Sequence, residues 1–444
     1  MDRQIEYVLR TVEERGVRFV RLWFTDVLGQ LKSFAVSPAE LEGAFEEGMQ
    51  FDGSAIDGYS RIQESDVLAR PDAATFEILP WDRKGETSAR MFCDLATLSG
   101  EPFAGDPRQV LRRNLDAARA EGYSFFVAPE VEYFYFRNND PTNLEPLDRG
   151  SYFDLTTDDV STGLRRRTIQ HVESMGIPVE YSFHEDSPSQ HEIDLRHTDA
   201  LTMADNVMTL RLVVRETAAE QGVHATFMPK PLADFQGSGM HSHLSLFKDD
   251  QNAFHDPDDP YLLSVVGRSF VAGLLAHAAE ITAVTNQLVN SYKRLVVGTE
   301  APSTITWARH HRAALVRVPE TRAGREESVR IEYRSPDPAC NPYLTFALLL
   351  AAGLDGVRRG LELPEEASSY LELSHRERAA AEIGVAALPQ SLAEALDAME
   401  GSDLVRETLG DHIFEWFLRN KRSEWFDYKT QVTPFELVRY LPTW

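Results

Sequence analysis

The sequence predicts an α+β protein of two units, and three observations carry that reading. At 444 residues the chain is long enough for two or three domains of roughly 150 residues, each able to bury a sizeable core. A 43% hydrophobic share with 10% aromatics belongs to a globular chain and excludes disorder and collagen-like repeats. Helical periodicity and strand-like runs occur side by side, in a small mixed unit over the first hundred residues and a larger one beginning near Gly100–Asp106. The expected division is 1–104 and 105–444.

Taken in order, Ile5, Val8, Leu9 and Val12 recur at helical spacing over residues 3–14, and residues 17–25 and 31–36 read as strands joined across Gly29. Ser37-Pro38-Ala39-Glu40 reads as a capping box with proline at the first helical position, opening a helix through Glu47. Residues 45–72 hold acids, glycines and polar groups with little periodicity; so long an irregular stretch in a compact domain is more often functional than idle. In the second unit an amphipathic helix at 107–120 precedes an apolar strand at 123–136. Helical patterns follow at 160–175, 199–221, 261–289, 341–360 and 390–408, with strands near 223–230, 240–247 and 329–334. Residues 361–390 are charged and helical in pattern, as a surface excursion would be, and Trp444 is expected to pack on something, a neighbouring subunit being one choice.

With 45 basic and 70 acidic residues the formal charge is −25, which repels phosphate backbones and makes nucleic acid an unexpected partner. An anionic substrate would need a local reversal of that field. Cys93 and Cys340 lack metal-ligand spacing and fit a reducing cytosol. The N-terminus has no apolar signal core, and the longest near-apolar run, Leu344 to Leu354, is about half of the ~20 residues a membrane span needs. A cytoplasmic protein with no membrane partner is expected.

The strand at 123–136 is the most informative segment. Side chains alternate along a strand, so Glu130 and Glu132 share a face about 7 Å apart among aromatics. Such carboxylates are expensive to ionise without a cation or a paired arginine, so a divalent-metal site is the leading reading and a solvated sheet edge the alternative. His241, His243 and Ser245 likewise fall on one face after a glycine turn, as ligands or as core histidines. Arg330, Glu332 and Arg334 alternate on a third strand, which alone reads as a solvated charge ladder, and the loop 184–192 adds Glu185 and Glu192. Carboxylates with one imidazole suit Mg²⁺ or Mn²⁺ better than zinc, and the ligand count suggests two ions. The stretch from Arg294 to Arg334 supplies the field reversal, with eight arginines and five glutamates. Metals plus arginines, without a covalent nucleophile, suit phosphoryl transfer; no Walker loop or dinucleotide glycine fingerprint occurs.

These segments, in this order, resemble type I glutamine synthetase over essentially the whole chain. The resemblance is carried by Phe51-Asp-Gly-Ser-Ala-Ile56, Glu64-Ser-Asp66, Pro129-Glu-Val-Glu132, Gln190-His-Glu192, Gly237-Ser-Gly-Met-His241, Lys293-Arg-Leu-Val296, Glu300-Ala-Pro302, Arg330-Ile-Glu-Tyr-Arg334 and Pro336-Asp-Pro-Ala-Cys-Asn-Pro-Tyr343. It implies an N-terminal β-grasp domain, a catalytic domain with a curved antiparallel sheet flanked by helices, and a dodecamer with active sites between adjacent subunits. It implies Glu132, Glu185 and Glu192 as ligands of one Mg²⁺ or Mn²⁺, and Glu130, His241 and Glu332 as ligands of the other. His243 and Ser245 match contacts to ATP. Arg294, Arg334 and Gly237 match the grip on L-glutamate, and Arg312 and Arg317 the residues that steady the moving phosphoryl group. Glu300 matches a flap glutamate. Asp52 of a neighbouring subunit matches the base that deprotonates ammonium, with Asp66 and Tyr152 around it.

Four departures gather near the amine side: Ala55, Asp186-Ser187, Gln236 and Glu327 stand where the family commonly has other residues. They keep open a γ-glutamyl ligase whose acceptor is a polyamine or another primary amine. A non-catalytic structural or regulatory homologue is the third reading, against which all six implied metal ligands are present. Leu371 stands at the apparent place of an adenylylatable tyrosine, with Tyr370 one position off, so no adenylylation is expected.

Overall fold

The computed structural model describes residues 2–54, 56, 58, 66–81, 87–155, 160–296, 299–322, 324–325, 328–367 and 385–444. Ala55, Glu64, Glu327 and the segment 369–373 therefore lie outside the described residues.

The N-terminal unit is α1 (Arg3–Glu14), β1 (Val17–Thr25), β2 (Leu31–Val36), α2 (Leu41–Glu46), β3 (Met49–Asp52), β4 (Asp66–Pro71), β5 (Glu77–Ile78) and β6 (Thr87–Ala96). Its sheet runs β2-β1-β6-β4-β3, parallel between β1 and β6 and antiparallel elsewhere, as a β-grasp domain requires. The irregularity expected over 45–72 is corrected: β3 and β4 pair there, with Asp52 opposite Asp66. Their short, weakly apolar strands lie at the sheet's end, where one face needs no apolar residues. The capping box at Ser37 is also absent. Pro38–Glu40 is a 3₁₀ turn whose Ser37 makes no side-chain cap bond, and the α-helix starts at Leu41.

From Leu22 onward β1, like β6 beside it, is buried on both faces, so alternate residues feed two cores. Leu22 and Met91 join the N-terminal core with Val8 and Val12, while Trp23 and Phe92 join the large core of the second unit. The seam is also polar. Arg108, 3% exposed, bonds Asp72 and Asp94 from one unit and Asp205 from the other. Asn341 Nδ2 donates to the carbonyls of Asp26 and Val27, and a Cβ on Gly29 (φ +79°) would lie 3.0 Å from Asn341 Cα.

The second unit adds α3 (Pro107–Ala120), β7 (Ser124–Phe136), α4 (Val160–Ser174), β8 (Val179–His184), β9 (Gln190–Leu195), β10 (Thr198–Asp199), α5 (Ala200–Glu220), β11 (His224–Thr226), β12 (Met240–Lys248), β13 (Gln251–Asn252), α6 (Val265–Ala276), α7 (Ala278–Thr285), β14 (Trp307–Ala308), β15 (Val316–Arg317), β16 (Ile331–Tyr333) and α8 (Pro342–Arg359). Helices Leu392–Glu400, Asp403–Leu409, Asp411–Lys429 and Pro434–Tyr440 follow. The sheet runs β14-β15-β16-β12-β7-β9-β8, antiparallel except for β14 with β15. The helix expected over 261–289 divides at His277, which caps both α6 and α7, and the one over 390–408 divides at Gly401. The loop expected over 184–192 is a hairpin: β8 ends at His184 and β9 starts at Gln190. No described helix is long and apolar enough to cross a membrane.

Candidate active site

Strand β7 lies between β12 and β9, and its register builds the site. Glu130 faces His241 on one side and Asp194 on the other; Glu132 faces Glu192. Both glutamates point into a cavity of about 220 Å³ at the sheet's surface. That cavity is also lined by Tyr152, Glu185, Glu192, Gly237, His241, Arg294, Glu300, Arg312, Arg317 and Arg334, so segments far apart in sequence converge there.

One half of the carboxylates is held ionised. Glu130 accepts from His241 Nδ1 at 3.0 Å and His243 Nε2 at 2.7 Å. Burial alone would push Glu130 up, but the two imidazoles hold it well below the usual carboxylate range. Glu332 is fully buried and accepts from Arg317 Nε and Arg334 Nη1, with His241 Nδ1 at 3.7 Å. Against burial, Arg334 and His243 bring Glu332 to about 2. The solvated ladder that the third strand suggested is thus corrected, because β16 lies inside the sheet between β15 and β12. Burial and Arg334 depress His241 to about 4, which leaves its ring neutral, the form that can ligate a metal.

The other half has too little counter-charge to offset its burial. Burial and Glu185 push Glu132 well above the usual range, against Arg294 and the Gly239 N–H. Burial, then Asp194 and Glu132, does the same to Glu192, and burial raises Glu185. Glu132 Oε2 is steadied by Gly239 N–H at 3.0 Å and Gln190 Nε2 at 2.9 Å. This oxygen-rich donor set with one neutral imidazole fits hard divalent cations. The groups of three whose ligand atoms lie within 4.8 Å of one another include Glu130–His243–Glu332 and Glu130–Glu192–Asp194. Glu132, Glu185 and Glu192 share the cavity but are not such a group among the described residues.

Arg294, 3% exposed, donates to the carbonyls of Ser335 and Arg334, and its Nη2 lies 3.4 Å from His241 Nε2. A Cβ on Gly237 would meet the Pro229 carbonyl oxygen at 2.3 Å, so the backbone's approach beside Arg294 requires glycine. Arg312 and Glu300 pair at 3.7 Å on the rim. His243 stands behind Glu130, and Ser245 follows on β12 opposite Phe126, outside the cavity lining. Asp52 and Asp66 are also outside it, exposed at the end of the N-terminal sheet. Sequence reasoning missed Asp194, which burial and Glu130 push to about 8, along with Phe153, Tyr181 and Phe183 in the cavity wall, and quoted Gln190 and Asp186 without giving them a place there. Alternation along 190–194 would have found Gln190 and Asp194, had that segment been read as a strand.

Comparison with known proteins identifies the family. The family model described as glutamine synthetase, beta-Grasp domain matches residues 16–97, and the one described as glutamine synthetase, catalytic domain matches residues 104–440. Glutamine synthetase from Mycolicibacterium smegmatis is 57% identical across 99% of this chain and 100% of its own, and that from Thermotoga maritima is 46% identical across 98% and 99%. Among solved structures, the GmaS/ADP complex superposes with a TM-score of 0.86 at 31% identity, covering 98% of this chain and 99% of that one. On the family models and these full-length relatives together, the chain belongs to the glutamine synthetase family.

Proposed function

We propose that the protein ligates ammonia to the γ-carboxylate of L-glutamate at the expense of ATP, through γ-glutamyl phosphate, releasing glutamine, ADP and phosphate. The observation that supports this most is the convergence of Arg294, Arg312, Arg317 and Arg334 with the carboxylate–imidazole set in one cavity. In this reading Arg294, Arg334 and the backbone at Gly237 orient glutamate, while His243 and Ser245 contact ATP. Arg312 and Arg317 oppose the charge that develops on the phosphoryl group as the γ-carboxylate attacks it. Glu130, His241 and Glu332 would hold one Mg²⁺ or Mn²⁺, and Glu132, Glu185 and Glu192 another. Those ions, when bound, neutralise phosphate charge. Glu300 closes the rim and keeps water from the acyl phosphate. Asp52 of a neighbouring subunit takes the proton from ammonium, with Asp66 and Tyr152 around it, in a cytoplasmic dodecamer.

A primary amine as acceptor is the second reading, favoured by the aromatic wall of Tyr152, Phe153, Tyr181 and Phe183 beside the carboxylates. Aromatic faces attract alkylammonium groups. Steady-state assays with ammonium, putrescine, spermine and ethanolamine decide between them. Fast turnover with ammonium is expected; negligible ammonium turnover beside fast polyamine turnover would overturn the first reading.

A further inference from the structure

We infer that Asp148 is a positioning residue that clamps the loop carrying Tyr152 to the hairpin carrying Glu185 and Glu192. Its carboxylate takes donors from four places. Oδ1 accepts from Gly150 N–H at 3.0 Å, Ser189 N–H at 2.8 Å and His184 Nε2 at 2.9 Å, and Oδ2 accepts from Ser161 Oγ at 2.5 Å. The Asp148 N–H itself donates to Ser189 Oγ at 2.6 Å. His184 sits at the end of β8 and Ser189 in the turn before β9, so both attachment points flank the hairpin's site-facing glutamates.

The contact continues on either side of the carboxylate. His184 Nδ1 lies 2.6 Å from the Glu185 carbonyl oxygen, which fixes the backbone of the residue that enters the cavity. Gly150 lies flat on the His184 ring, where a Cβ would come within 2.5 Å of Nε2. Phe153 N–H donates to the His184 carbonyl at 3.0 Å, and the Phe153 and Phe183 rings pack 4.6 Å apart. Phe153 and Ser189 both hold left-handed backbones, φ +61° and +60°, which L residues adopt only when the surroundings fix them. His191, fully buried, accepts from Arg165 at Nδ1 and presents Nε2 toward Asp148 Oδ2 at 3.6 Å. These contacts join the loop of Asp148, α4 and the β8–β9 hairpin, whereas His243 and Ser245 stand on β12.

That asymmetry gives the test, which rests on the ligase reading for its kinetic arm only. D148A should lower affinity for Mn²⁺ and raise the KM for glutamate by roughly 10–100-fold each, the usual effect of removing a support behind metal ligands. The KM for ATP should stay within about twofold, because the β12 contacts are untouched. D148N should recover most of both losses. Its carbonyl oxygen can serve the Gly150, Ser189 and His184 donors while its amide donates to Ser161 Oγ, a hydroxyl that can reverse its role. Wild-type Mn²⁺ affinity and glutamate KM in D148A would overturn the proposal. So would a uniform loss, ATP included, that tracks a lowered Tm and is not rescued by D148N. If D148A does not fold, H184Q is measured by the same readouts. The Mn²⁺ titration needs no turnover, so failure of the ligase reading leaves this one decidable.

Discussion

Glu132, Glu185, Glu192 and Asp194 carry more negative charge than their buried setting stabilises, and all four are shifted upward by burial, Asp194 to about 8. A carboxyl whose folded value exceeds its unfolded one stabilises the protein fully below the unfolded value and loses that contribution as pH rises through the folded value. The ion-free protein should therefore weaken between about pH 4.5 and pH 8 on account of this cluster. A bound divalent ion displaces those protons, so it binds more tightly as pH rises. Thermal unfolding with and without Mn²⁺ is expected to show an added rise in Tm of roughly 2–4 °C at about pH 8 over that at about pH 6. An increment that is equal at both, or smaller at the upper pH, would exclude the cluster as the ion's seat.

At the scale of elements, α3 is fastened to the N-terminal sheet through its cap. Asp106, 1% exposed, accepts from Arg108 N–H at 2.9 Å and, with its other oxygen, from Leu95 N–H of β6 at 2.8 Å. Asparagine offers one oxygen, so D106N leaves a buried backbone donor facing an amide and should cost about 1–3 kcal/mol. Urea unfolding measures it, and a loss under about 0.5 kcal/mol would show that the cap carries no such load. Strong local patterns made β1, β7, β12, α3, α5 and α8 legible in the sequence, because each buries a face of regular period. The β8–β9 hairpin was not, since His191, Glu192 and Asp194 are buried polar residues whose neighbours come from β7, α4 and the loop of Asp148. Periodicity cannot report a polar residue that is buried for its ligands. More than half of the cavity's lining residues were named from the sequence, yet their convergence came from family motifs rather than spacing. Asp148 offered no local signal at all.

At the scale of the molecule, one chain gathers Glu130, Glu132, Glu185, Glu192, His241, Arg294 and Arg334 around a single cavity but keeps Asp52 and Asp66 at the edge side of another sheet, outside its lining. The helix Pro434–Tyr440 and the residues after it also leave Phe435, Val438 and Leu441 more than 60% exposed, and Trp444 97% exposed, with nothing among the described residues to cover them. Both facts suit an assembly in which neighbouring copies complete each other. If Asp52 serves the cavity of the next subunit, D52A chains and E332A chains are each inactive alone, yet a mixed assembly contains interfaces where an intact Asp52 meets an intact cluster. Random co-assembly should restore roughly a quarter of wild-type activity, since each half of a site is intact in half of the cases. Co-expression of the two chains under different affinity tags, with sequential purification of the hetero-oligomer, provides the sample. If Asp52 instead acts within its own chain, no combination of these variants contains a complete site, and the purified hetero-oligomer stays as inactive as its parents.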